Sequence, residues 1–219
     1  MAKSGSMQPE IFPVAAVGAI LSALRGRLAS VQGSGEALAP FARALSTVPP
    51  GAAVTPPTQS LPVCRHLAAA LAALRGTAMD ALAAPVAELA SEAFWTQNPN
   101  YRRRPPAPGF LDGYGYFVLA GPADGPPAFV ECTGLACGLL LLAPGTLYPA
   151  HRHPAAELYV PLSGGEWQRG EGDWRSEPPD AVIRHEPDAM HAMRAGDTPL
   201  LAAYLWMGEL ATYARLADG

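Results

Sequence analysis

GTLYPAHRHPAAELYVPLSG, residues 145–164, sets His151 and His153 two positions apart and follows them with Glu157 and Tyr159. Side chains alternate along a β-strand, so residues i and i+2 leave the same face. The two histidines therefore point one way, and Glu157 and Tyr159 share their odd parity, joining them if the strand register continues past Pro154. A further imidazole, His191, follows in HEPDAMHAM, residues 185–193, as the candidate fourth ligand. Three imidazoles and one carboxylate inside a β-barrel make a mixed nitrogen and oxygen site for a divalent transition metal, with a position left open for substrate. Such a donor set does not separate Zn, Fe, Mn, Ni and Co, because occupancy follows availability as much as ligand type.

Outward from this stretch, the second half of the chain reads as short strands between Gly and Pro turns, the pattern of an all-β barrel or sandwich. Expected strands are 114–119, 129–131, 135–142, 181–185 and 200–206, with a hairpin in which 166–169 and 173–175 flank Gly170-Glu171-Gly172. On the last strand Tyr204 and Trp206 share a face, which either packs into the core or walls a pocket. No internal repeat suggests a second barrel.

The first half is Ala- and Leu-rich and helical in period. Val14, Val17, Leu21, Leu24, Leu28 and Val31 form one stripe, and Leu38, Phe41, Leu45 and Val48 a second, with a break at Gly33-Ser34-Gly35. Pro49-Pro50-Gly51 stops the second helix and opens an extended linker. Whether residues 49–62 close over the barrel mouth is open. A third helix is expected over about 62–74 with Ser60 as its cap, and a fourth is opened by Thr77 and Asp80, with Pro85 kinking or splitting it. FWTQNPNYRRRPPAPG, 94–109, reads as a Pro-rich loop marking the passage to strands, and Tyr101 within it is a candidate pocket wall. The division expected is a helical region over 1–93 and a β-barrel carrying the metal site over 94–219.

The 219 residues suffice for one large domain or two small ones. With 15 basic and 19 acidic side chains and a pI near 5.7, nothing favours a polyanion, so nucleic acid is not expected as a partner. Three cysteines, Cys64, Cys132 and Cys137, lack C-x-x-C spacing and read as reduced thiols of a cytoplasmic protein. The apolar stretch 12–24 is too short to span a bilayer and fits an amphipathic helix, so no membrane association is expected. The opening MAKSGS is set aside from fold reasoning, and the apolar N-terminal helices offer a face for pairing into a homodimer.

The spacing Gly145, five residues, His151-x-His153, three residues, Glu157, six residues, Gly164 resembles the first signature of the cupin family without a gap. That resemblance implies a mainly β protein with α, a single double-stranded β-helix barrel. The second signature asks for Pro-x-Gly-x-x-His-x-x-x-Asn. Here Pro187 stands one residue too close to His191, Ala189 falls near the Gly position and no Asn follows, which leaves His185 as a rival fourth ligand. LAPGTLYPAHRHPAAELYVPLSGGEW, then HEPDAMHAM, then PLLAAYLWMGEL are similar to the cupin-type dimethylsulfoniopropionate (DMSP) lyases and their cupin-like relatives, densely from Ala143 to Leu210 and weakly before Phe94. The resemblance implies a carbon–sulfur lyase that cleaves this small molecule to dimethyl sulfide and acrylate by α-proton abstraction and β-elimination. It also implies an N-terminal helical region beside the barrel, and use of Tyr148 and Tyr159 in catalysis.

In that reading Tyr159 removes the proton, its pKa lowered by the metal held by His151, His153, Glu157 and His191, and Tyr148 orients substrate or shares the base role. The sulfonium suits aromatic faces, and Tyr101, Tyr204 and Trp206 are the candidates to bind it. Two other classes compete: a metal-dependent cupin isomerase or dioxygenase acting on a small carboxylate or sugar, and a metal-binding cupin without turnover.

Overall fold

In the computed structural model, residues 13–31 and 35–217 are described. The helical stripes form as their spacing predicts. Helix α1 (Val14–Ser30) buries Ala16, Val17, Ile20, Leu21, Leu24 and Leu28, and α2 (Gly35–Thr47) buries Leu38, Phe41 and Leu45. Each large aliphatic side chain so buried contributes about 1.5–3 kcal/mol. Phe117, Leu119, Phe129 and Leu139 from the strands share that core. These stripes thus face the barrel and one another, and a homodimer would have to draw on another surface. The break at 33–34 and the opening residues lie outside the described part of the chain.

Several expected boundaries differ. The third helix begins as a 3-10 turn, Pro62–His66, and continues as α3 (Leu67–Ala72). Ser60 does not cap it: Leu61 precedes the turn, and its N–H donates to Cys64 Sγ. Pro85 neither kinks nor splits the fourth helix, because α4 (Ala83–Glu92) starts only two residues earlier. In a first turn the missing N–H has no carbonyl to bond, so proline costs little there. The stretch 94–109 is not all loop. Asn98 accepts from the Asn100 N–H at 2.9 Å and Pro99 occupies the first position of α5 (Pro99–Arg103), the cap and proline order that favours a helix start. Residues 49–62 lie along the barrel flank, with the Val54 N–H on Phe129 O at 2.8 Å and the Gln59 N–H on Ala93 O at 3.0 Å.

Among the described residues eleven strands follow: β1 (Tyr114–Gly121), β2 (Ala128–Glu131), β3 (Ala136–Leu142), β4 (Leu147–Arg152), β5 (Ala156–Pro161), β6 (Gly165–Arg169), β7 (Arg175–Glu177), β8 (Ile183–His185), β9 (His191–Arg194), β10 (Leu200–Met207) and β11 (Arg215–Leu216). They form two sheets, ordered β2-β1-β3-β10-β5-β8 and β11-β4-β9-β6-β7. Starting from the β6–β7 hairpin, the antiparallel pairs β6·β7, β5·β8, β4·β9 and β3·β10 nest outward and alternate between sheets. A long hairpin wound in this way is the double-stranded β-helix. The expected strand at 173–175 starts only at Arg175, since Trp174 leaves the ladder to lie under the Arg194 guanidinium, 4.4 Å from its ring centroid. The 181–185 strand shortens to β8, and β9 and β11 are strands the sequence reading did not separate.

Candidate metal centre

Pro154 ends the first strand of the motif, so register does not run on from the histidines to Glu157. His151 lies on β4 and His153 just past its end, in one sheet, while Glu157 and Tyr159 lie on β5, in the other. The tight turn folds β5 back so that its inward face meets the histidines across the barrel. Gly145, with φ 70°, supplies the left-handed turn that launches β4. His191 opens β9 directly opposite His151 in the β4·β9 register.

One ring nitrogen from each of His151, His153 and His191 lies within 4.8 Å of the other two, and all three side chains are buried. Each Nδ1 faces a backbone carbonyl: His151 on Pro149 O at 2.9 Å, His153 on Ala155 O at 3.0 Å, His191 on Ala189 O at 2.9 Å. A carbonyl only accepts, so Nδ1 carries the proton in all three rings, and Nε2 of a neutral ring is left with a bare lone pair. Glu157 Oε2 lies 2.9 Å from Nε2 of His153 and 3.0 Å from Nε2 of His191, and the latter nitrogen makes no hydrogen bond. Converging bare acceptors on a carboxylate oxygen in a buried site is costly unless a cation lies among them. The three histidines could therefore hold a divalent metal, with Glu157 beside them as a candidate fourth donor.

Electrostatics agree with that fit. Burial, and then neighbouring His191, push the His151 pKa well below the usual imidazole value. Burial would raise the Glu157 pKa, but the charge and Nε2–H hydrogen bonds that His153 and His191 offer when protonated hold the carboxyl well below its ordinary range, and a cation among the same nitrogens would act in the same direction. His185, the rival, stacks on His191 with ring centroids 4.0 Å apart and planes 11° from parallel. It lies outside the three-histidine cluster, and burial, followed by His191, pushes its pKa to about 3.

A stability prediction follows for the metal-free protein. His151 and His185 remain neutral in the fold, while in the unfolded chain both take a proton below about pH 6.5. Their contribution is thus complete above pH 6.5 and is lost as pH falls. Each residue costs up to about 1.4 kcal/mol per pH unit. Thermal unfolding of chelated protein should show a marked loss of stability between pH 7 and 5, and His185→Phe should remove about half of that dependence.

Beside the histidines opens a cavity of about 300 Å³. Six of the chain's seven tyrosines line it, Tyr114, Tyr116, Tyr148, Tyr159, Tyr204 and Tyr213, together with Trp206 and Glu157, and among the described residues no Lys or Arg does. Tyr148 stacks flat on His151, centroids 4.1 Å apart, and its hydroxyl donates to that of Tyr101 at 3.4 Å. Tyr101 itself lies behind Tyr148, edge-on to Phe110, and is not among the lining residues. Tyr204 reaches the Phe117 carbonyl at 3.4 Å, past Gly138, where any side chain would strike both groups. Burial and the Glu157 charge raise the Tyr159 pKa well above its ordinary value. Without a cation beside it the phenol is thus a weaker acid than usual, and the lowering expected from the sequence depends on the metal.

Sequence reasoning missed Tyr114, Tyr116 and the tail Leu210, Ala211, Tyr213 and Ala214 as cavity wall. The tail is fixed by the Asn98 and Asn100 side-chain amides, which donate to Ala214 O at 2.8 and 3.0 Å. The Asn-Pro-Asn sequence was the available signal.

The pattern of the dimethylsulfoniopropionate lyase family matches residues 37–202. The chain belongs to this family. Among DMSP lyase relatives, it is 31% identical over 155 residues to the putative dimethylsulfoniopropionate lyase DddL of Cereibacter sphaeroides, covering 70% of this chain and 62% of that one. It is 36% identical over 105 residues to the dimethylsulfoniopropionate lyase DddQ of Ruegeria pomeroyi, covering 47% and 50%. The chain thus spans between half and about three fifths of the curated relatives it matches. A chain from the crystal structures of the DMSP lyases RdDddP and RnDddQII shares the fold, with a TM-score of 0.68 at 24% identity over 93% of this chain and 98% of that one. The crystal structure of DddQ from Ruegeria pomeroyi superposes with a TM-score of 0.62 at 25% identity, over 90% and 96%. The fold is therefore that of the cupin-type DMSP lyases, as the resemblance implies.

Proposed function

We propose that the protein is a metal-dependent lyase that cleaves DMSP to dimethyl sulfide and acrylate, with the metal held by His151, His153, Glu157 and His191. The observation that carries the reading is the junction of that donor set with a tyrosine-lined cavity to which no described Lys or Arg contributes. A divalent cation held by these residues would supply Lewis-acid chemistry, drawing the substrate carboxylate and stabilising the negative charge that develops at the α-carbon.

The remaining work falls to the chain. Tyr159, on the ligand face two residues after Glu157, is the group to accept the α-proton at its phenolic oxygen. As that C–H bond breaks, its electron pair forms the carbon–carbon double bond and the carbon–sulfur bond releases neutral dimethyl sulfide. Tyr159 must therefore reach its anionic form, which burial and Glu157 oppose, and only positive charge beside it reverses that balance. Tyr148, pinned between His151 and Tyr101, is better placed to orient substrate than to move. Tyr204 and Trp206 offer π-faces to the sulfonium at about 0.5–2 kcal/mol each, with Tyr101 as backing for Tyr148. The helices ahead of residue 94 buttress the barrel beyond it. The three cysteines are unpaired, which supports a reducing, cytoplasmic setting. No described helix is long and apolar enough to cross a membrane.

The test incubates metal-loaded and chelated protein with DMSP and follows dimethyl sulfide in the headspace. Release by the loaded protein alone is expected, and a loaded protein that releases none rules the reading out. Which of Zn, Fe, Mn, Ni or Co serves is read from reconstitution with each in turn.

A further inference from the structure

Trp206 stands opposite Glu157 in the β10·β5 register and touches the ligand set from two directions. Its indole N–H donates to Glu157 Oε1 at 2.6 Å, while the other carboxylate oxygen faces His153 and His191. Its ring also lies against the His153 imidazole, centroids 4.0 Å apart and planes 25° from parallel. The same side chain lines the cavity.

We infer that Trp206 is a positioning residue of the metal centre as well as a piece of cavity wall. A carboxylate on a flexible stem can turn either oxygen toward an ion. A charge-assisted bond to Oε1 fixes that turn and leaves Oε2 facing Nε2 of both histidines. The stack fixes the plane of the His153 ring, whose Nδ1 is already held by Ala155 O. Hydrogen-bonded partners of this kind orient ligands and raise metal affinity about 10–100-fold. The inference rests on the ligand reading above but not on which reaction the site performs.

The experiment reads zinc binding without turnover. Wild-type protein and Trp206→Phe are stripped of metal and titrated with Zn²⁺ against a chromophoric chelator, with thermal unfolding of the metal-free forms as a folding control. Phenylalanine keeps an aromatic ring against His153 and loses the donor together with the second ring of the indole, so Zn²⁺ should bind about 10-fold or more weakly while metal-free stability is retained. Equal affinity in the two proteins overturns the inference. If Trp206→Phe fails to fold, the wild-type ¹⁵N indole spectrum decides. The resonance of the N–H bonded to a carboxylate should move on zinc addition, and four unmoved indole signals overturn the inference. Wild-type protein that takes up no zinc removes the ligand reading and this one together, whereas uptake with undiminished affinity in Trp206→Phe removes this one alone.

Discussion

Tyr159→Phe should release dimethyl sulfide from DMSP about 10²–10⁴-fold more slowly than the unaltered protein while holding the same amount of metal. The phenol is buried beside Glu157, and both effects favour its protonated form, so it can serve as a base only where positive charge offsets them. Removing one oxygen from a ring that keeps its packing leaves the cavity shape and the histidine cluster in place, so the loss should appear in kcat rather than in metal content or fold. Turnover measured alongside metal analysis checks it, and full activity in Tyr159→Phe would assign the base elsewhere. Tyr148→Phe should cost less, because that hydroxyl is engaged with Tyr101 and its ring is fixed against His151.

The second large effect separates two neighbouring imidazoles. His191→Ala should lose metal and, with it, lyase activity, whereas His185→Phe should keep its metal. His191 belongs to the cluster within 4.8 Å, directs Nδ1 to Ala189 O and leaves Nε2 beside Glu157 without a hydrogen bond. His185 only stacks on it. Loss of a group that merely orients a ligand costs about 10–100-fold in affinity, so loss of a ligand should exceed that. Metal analysis after dialysis against a weak chelator distinguishes them. Metal retained by His191→Ala and lost by His185→Phe would exchange their roles.

Local pattern carried much of this. The 3/4 stripes of α1 and α2 and the i, i+2 pair His151 and His153 are read directly from spacing, because both depend only on periodicity along one element. Glu157 entered by parity, although the chain turns at Pro154 and reaches the other sheet before that residue appears. Its inward direction follows from the fold-back of β5, not from continuation of β4. What spacing could not supply was pairing between distant strands. The opposition of His191 to His151, of Trp206 to Glu157 and of Gly138 to Tyr204 comes from nested register across the barrel. The five residues of α5 escaped because their cap, Asn98, is also the amide that secures the tail at Ala214, a contact 116 residues away in sequence.

The donors hang from opposite halves of the barrel, the histidines from one sheet and Glu157 from the other. An ion seated among them would act as a rivet between the two sheets, adding to the chain crossings and side-chain contacts that already join them. Extracting it would do more than silence chemistry: the seam could then part at a lower temperature, and the chain would come to depend on its cargo for endurance as well as for work.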